Sequence, residues 1–207
     1  MNKNTQNRRD IKAVDAYKTA AATIGTITPG MSLFAITRGQ FSMIDAILAC
    51  LDKIGPAKLS IWTWCVGEYD IQCLERLCRD DRIFSALLII DIMGQARNPL
   101  LLQQWRDYHG PDSVKVVLNH AKIATLQNDQ YKLLLRGSFN LNYNTRYEQF
   151  DLTEGMSDFD LVKSIENTIP TLTATATYEE CMEATESLTR HQIDELKIFE
   201  GVKTWAK

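Results

Sequence analysis

Ile83-Phe84-Ser85-Ala86-Leu87-Leu88-Ile89-Ile90-Asp91-Ile92 is an apolar run broken only by Ser85 and, near its end, by Asp91. It is too short to cross a bilayer, and it lacks the polar alternation of a strand with one wet face, so it reads as a strand covered on both sides. Working outward, Tyr69 to Arg79 has helical spacing, and Lys58 to Cys65 alternates as a strand before it. Further upstream, Met31 to Thr37 reads as a strand, and Ser42 is placed to cap a helix that Gly55-Pro56 ends. Downstream, Asn98 precedes a helix from Pro99 to Tyr108, His109-Gly110-Pro111 stops it, and Ser113 to Leu118 is again strand-like. The order β-α-β-α-β-α-β predicts an α/β fold with a mixed or parallel sheet flanked by helices.

Two more strand-like runs follow, Lys122 to Leu126 and Tyr131 to Gly137, joined by the turn Gln127-Asn128-Asp129-Gln130. Glu148 to Thr153 is a further strand candidate, and Asp158 to Thr168 and Glu179 to about Lys203 read as closing helices. At the start, Asp10 to Ile24 is Ala-rich with apolar residues at helical intervals and predicts an amphipathic helix. The expected division is an N-terminal helical arm at 1–30, an α/β domain at 31–155, and C-terminal helices at 156–207 packed on that domain.

With 207 residues, 45% apolar and 24% charged, the chain has the composition of an ordinary globular domain rather than of a disordered or membrane protein. The polar start, with Arg8, Arg9 and Asp10, has no apolar stretch of the kind a signal peptide needs, which argues against export and for a cytoplasmic protein. Five cysteines without a C-x-x-C step indicate reduced thiols rather than a disulfide framework or a zinc ribbon, and Cys50, Cys73 and Cys78 read as small core residues. The formal charge of -3 is unevenly spread: basic residues exceed acidic ones up to Met31, whereas from Glu148 onward thirteen acidic residues face five basic ones. Such a tail disfavours loose binding to nucleic acid through net charge but leaves room for a local basic cleft.

Chemistry concentrates in two short steps, His120-Ala121-Lys122 and Gly137-Ser138-Phe139-Asn140. On a strand, residues i and i+2 share a face, so the first step is expected to present an imidazole beside an ammonium. The second supplies a tight turn, a hydroxyl and a carboxamide. A nucleophile or acid/base group, a fixed positive charge and neutral hydrogen-bond donors are what in-line displacement at phosphorus requires. Arg136 and Arg146 flank these steps and are candidate substrate-binding charges, with pairing to Glu148 or Asp151 as the alternative. Trp62 and Trp64 alternate and are expected on one face, as core or as an aromatic platform.

These steps resemble the signature of the phospholipase D superfamily, H-x-K-x4-D followed by G-S-x-N, with His120, Lys122, Gly137, Ser138 and Asn140 matching. Glu148 falls where that family carries an acidic residue beyond the second step. The resemblance spans Met31 to Gly155 and implies a phospholipase D-like mixed sheet flanked by helices. It also implies a metal-independent phosphodiesterase without a cofactor. His120 would attack phosphorus to form a phosphohistidine, and a second histidine would protonate the leaving oxygen. Lys122, Ser138 and Asn140 would hold the nonbridging oxygens, and Glu148 would orient His120. The family's Asp position is Gln127 here, with Asp129 two residues late.

Because H-x-K occurs once, and neither His109 nor His191 has a lysine at i+2, the second histidine is expected from a homodimer partner. The leading expectation is a nuclease acting on DNA or RNA. The alternatives are a catalytically weak scaffold that binds nucleic acid or another phosphate ligand, and, ranked lowest, a phospholipid-processing enzyme, since no membrane-binding segment is evident.

Overall fold

In the computed structural model, which describes residues 9–13, 19–143, 145–172 and 176–193 (side chains through 185), the central apolar run forms strand β4 (Ile83–Asp91). It lies between two parallel neighbours, β3 (Ala57–Thr63) and β5 (Val114–Val117). The remaining strands are β1 (Asp10–Ala13), β2 (Ser32–Thr37), β6 (Ile123–Gln127), β7 (Lys132–Gly137) and β8 (Glu148–Glu154). Among the described residues they form one sheet in the order β1-β2-β8-β7-β6-β3-β4-β5, with β6 and β8 antiparallel to the rest. This is the mixed, helix-flanked α/β sheet expected from the element order and from the phospholipase D resemblance.

The topology positions the site. The chain leaves β2, runs through α2 (Met43–Ile54) and re-enters the sheet as β3, leaving a gap that the meander β6-β7-β8 later fills. One edge therefore collects the carboxyl ends of β2, β3, β4, β5 and β7 together with the starts of β6 and β8. In open α/β sheets the ligand crevice lies outside the carboxyl ends of the strands.

Each face has its own cover. Leu59, Ile61, Leu88, Ile90, Leu133, Leu135, Phe150 and Leu152 face the larger core. Helices α1 (Ala20–Ile24), α2, α3 (Glu68–Arg79) and α5 (Pro99–His109) pack there, and the start of α7 (Tyr178–Ile193) joins through Cys181. Alternate residues Leu87, Ile89 and Leu134 face α6 (Ser157–Thr168), which docks through Phe159, Val162 and Ile165. Burial of Phe159 and Val162 stabilises that helix by about 3–6 kcal/mol. The same face buries the Glu166 carboxylate, a cost of several kcal/mol if left bare. Ser60 Oγ and Trp62 Nε1 donate to its Oε1 and Lys163 Nζ pairs with its Oε2, so the cost is offset.

Most expected elements form within a residue or two of their expected bounds, and three readings change. Asp10 to Ile24 is not one helix: Asp10–Ala13 pairs with β2 as an edge strand, and a short helix starts at Ala20 behind the Thr19 cap. Parallel pairing supplies backbone partners that helical periodicity could not reveal. An unexpected helix, α4 (Ile92–Arg97), follows β4 because Asp91 Oδ1 accepts from Met93 N at 2.9 Å and caps it. Strand β3 ends at Thr63, so Trp64 does not share a face with Trp62. The last helix is described only to Ile193; the expected continuation toward Lys203, and Lys3, Arg8 and Lys18 of the basic N-terminus, lie outside the described residues. No helix among the described residues is long and apolar enough to cross a membrane.

Candidate functional site

His120-Ala121-Lys122 does not lie within a strand, as the i, i+2 argument required; it forms the link between β5 and β6 at the carboxyl edge. Asn119 shapes that link. Its backbone N–H donates to Asp91 Oδ2 at 2.9 Å, its Nδ2 donates to the carbonyls of Thr63 and Ala121, and its Oδ1 accepts from Ala121 N at 2.9 Å. A buried carboxamide thus ties the ends of β3 and β4 to the link and leaves the His120 side chain exposed. Its ring has no hydrogen-bond partner among the described residues.

Lys122 takes the opposite course. Only 8% exposed, it donates from Nζ to the His120 carbonyl at 2.7 Å. Burial pulls its pKa below that of an ordinary lysine, against the opposing pull of Cys65, Glu148 and Asp91. The ammonium therefore sits in the middle of the cluster, while His120 stands at its rim.

The second step follows β7. Gly137 N donates to the Lys122 carbonyl at 3.1 Å, which brings the two steps side by side. Glycine is required at 137 because a Cβ there would lie 2.6 Å from the Gln149 carbonyl oxygen of β8. Ser138 then reaches across: its N–H donates to Gln149 O at 3.1 Å, its Oγ accepts from Gln149 N at 3.0 Å, and its hydroxyl donates to Glu148 Oε2. Asn140 Oδ1 accepts from Trp64 N at 3.2 Å. Only the oxygen of the carboxamide can accept that bond, so the amino group is turned away as a donor.

The structure thus gathers His120, Lys122, Ser138, Asn140 and Glu148 on one edge, yet joins Glu148 to Ser138 rather than to the His120 ring. Arg136 leaves the group: its Nη1 pairs with Asp158 Oδ2 at 2.9 Å, at the start of α6. Arg146 lies exposed in the segment leading to β8. Gln127 ends β6 opposite Lys58, at the far edge of the sheet. Five residues of strand separate it from the cluster by roughly 15 Å, so its departure from the family pattern falls on the distal turn. There Asn128 does the holding, with Oδ1 accepting from Gln130 N and Tyr131 N and Nδ2 donating to Ile54 O at 2.8 Å.

His109 is no second histidine for this site. It ends α5 before β5 begins, at the opposite edge of the sheet from the cluster, with its ring tilted against Trp105 at 4.4 Å between centroids, and burial lowers its pKa. The His191 side chain lies outside the described residues. Among the described residues no three His, Cys, Asp or Glu side chains are grouped as a metal-ligand set.

Several neighbours were not singled out from sequence. Asp91 and Asn119 organise the edge, and Cys65 sits close enough to feel Arg97 and Lys122, although burial dominates and keeps its thiol pKa raised. Nothing in their spacing marks them; only the shared edge does. Beside them a cavity of about 380 Å³ opens, lined by Trp64, Asp91, Met93, Asn119, His120 and Tyr178 among others.

No protein-family model matches the chain, and no curated protein matches it in sequence. In structure it is similar to the polyphosphate kinase from Porphyromonas gingivalis, with a TM-score of 0.48 at 13% identity over 80% of this chain. The chain spans 31% of the length of that protein.

Proposed function

We propose that this edge is half of a metal-independent phosphodiesterase site, that the protein is a nuclease, and that a second copy supplies the other half. The observation that supports the reading is the convergence of a buried ammonium, a turned-out carboxamide and an exposed imidazole at the carboxyl edge of the sheet. In the reaction, a ring nitrogen of His120 bonds to phosphorus as the bond from phosphorus to the leaving oxygen breaks. The partner's histidine gives that oxygen its proton, then takes one from the water that hydrolyses the phosphohistidine. Lys122 and the Asn140 amino group stabilise charge on the nonbridging oxygens.

One observation favours a second reading, a phosphate-binding scaffold of low activity: Lys122 is engaged by a backbone carbonyl and Glu148 by Ser138, so neither is poised on His120. Incubating the protein with single- and double-stranded DNA and RNA in excess EDTA, beside His120→Ala, separates the two. EDTA-resistant cleavage that vanishes in the variant is expected. Equal behaviour of the two proteins, with binding retained, would establish the scaffold. Native sizing is expected to return a dimer, and a strict monomer would sink the two-histidine mechanism.

A further inference from the structure

Two arginine–aromatic pairs stand on either side of the phosphate cluster, on the same edge. On one side the Arg97 guanidinium carbon lies 4.4 Å from the centroid of the Trp64 ring. On the other, that of Arg38 lies 5.2 Å from the centroid of Tyr147. Both pairs are set by the backbone. Helix α4 approaches so closely that a Cβ on Gly94 would lie 2.1 Å from the Trp64 carbonyl oxygen, and Arg97 follows one turn later on the same side of the helix. Arg38 directly follows β2, and Tyr147 directly precedes Glu148, which is registered against Thr37 of β2.

Between β2 and β3 the edge crosses β8, β7 and β6, four inter-strand steps or roughly 19 Å. Lys122, Ser138 and Asn140 lie in that interval. An aromatic ring backed by a guanidinium suits a flat, electron-rich ring next to a phosphate, because stacking tolerates any base and the arginine answers the anion. Bases inside a duplex are stacked on one another and present no face to such a ring. A lipid surface would call for a continuous apolar patch, whereas here each aromatic carries a cation.

We propose that the substrate is a single-stranded nucleic acid laid along this edge, with one base stacked on Trp64, another on Tyr147, and the phosphate between them at Lys122 and Asn140. The position of the phosphate rests on the phosphodiesterase reading; the stacking does not. The cavity beside Trp64 and His120 gives the strand room to continue past β3.

The test is binding, measured by fluorescence anisotropy in EDTA and in the His120→Ala background so that cleavage cannot intervene. The probes are a short labelled oligothymidylate, the same phosphodiester chain with abasic sites, a duplex, and phosphatidylglycerol vesicles. Trp64→Ala and Tyr147→Ala are each expected to weaken the oligothymidylate by about 5- to 150-fold. Trp64→Phe and Tyr147→Phe should keep most of the affinity. Phe84→Ala, an exposed aromatic at the far edge, should change nothing. In the background that keeps both Trp64 and Tyr147, the abasic chain should bind more weakly than the base-containing chain, a comparison that uses no aromatic variant and so does not depend on how those variants fold. Equal affinity for abasic and base-containing chains, equal affinity for duplex, or preference for vesicles would overturn the proposal. Base-dependent binding without any wild-type cleavage would support the stacking edge and remove only the enzyme. Cleavage with base-independent binding would overturn the stacking edge and leave the enzyme.

Discussion

Replacing Gly137 by alanine tests whether the close approach of β7 and β8 sets the site. The added Cβ would stand 2.6 Å from the Gln149 carbonyl oxygen, roughly 0.8 Å inside an ordinary contact of 3.4 Å. That oxygen belongs to the backbone and cannot swing aside, so the two strands must part. The same oxygen accepts the Ser138 N–H at 3.1 Å, and a displacement of that size stretches the bond beyond hydrogen-bonding range. Overpacking costs about 1–3 kcal/mol and the lost bond about 1, so Gly137→Ala should destabilise the fold by about 2–4 kcal/mol. Ser138 and Asn140 move with the strand, and if they hold the substrate as proposed, a shift near 1 Å costs about 10²-fold in rate. Urea unfolding read by far-ultraviolet circular dichroism, with EDTA-resistant cleavage on the same preparations, gives both numbers. An unfolding free energy within about 0.5 kcal/mol of wild type together with wild-type cleavage would refute the argument, for it would mean that the edge relaxes freely.

Two further outcomes depend on pH. Burial pushes the Asp70 carboxyl up to about 6, offset in part by its own backbone N–H and reinforced by Asp45. The folded state therefore favours the neutral acid: this contribution is complete below the unfolded value near 3.8 and is lost as pH rises through about 6. Asp70→Asn should thus gain on wild type by up to about 3 kcal/mol between pH 4 and pH 8, and a difference independent of pH would contradict the burial. Since Lys122 is held below its ordinary 10.5, any activity that needs its ammonium should fall on an alkaline limb that begins below that value. Lys122→Arg should move that limb upward even if the rate drops, and an unmoved limb would assign it to another group.

The residue pattern was a good guide wherever burial alone selects the element. The run at Ile83 and the helix behind Ser42 stand where expected, because an apolar face and a capping residue are local properties: Ser42 N donates to Asp45 Oδ2 at 2.8 Å, as an N-terminal cap should. Reading failed where a partner distant in sequence decided. Asp10 to Ala13 has helical spacing but finds β2 beside it, and Trp64 loses its strand because β3 stops where Thr63 Oγ1 turns to the Cys65 carbonyl and accepts the Leu141 N–H.

The sequence by itself determined the α/β order, the two short steps of polar residues and the single H-x-K, because these depend on periodicity and spacing along the chain. Tertiary structure decided which groups meet. Inserting β6, β7 and β8 between β2 and β3 puts Lys122, Ser138 and Glu148 on one edge, sends Arg136 to Asp158 and Gln127 to the far side, and sets Trp64–Arg97 and Tyr147–Arg38 around the cluster. Strand order within a sheet is a long-range choice among alternatives with similar local patterns, and only the packed chain selects one of them.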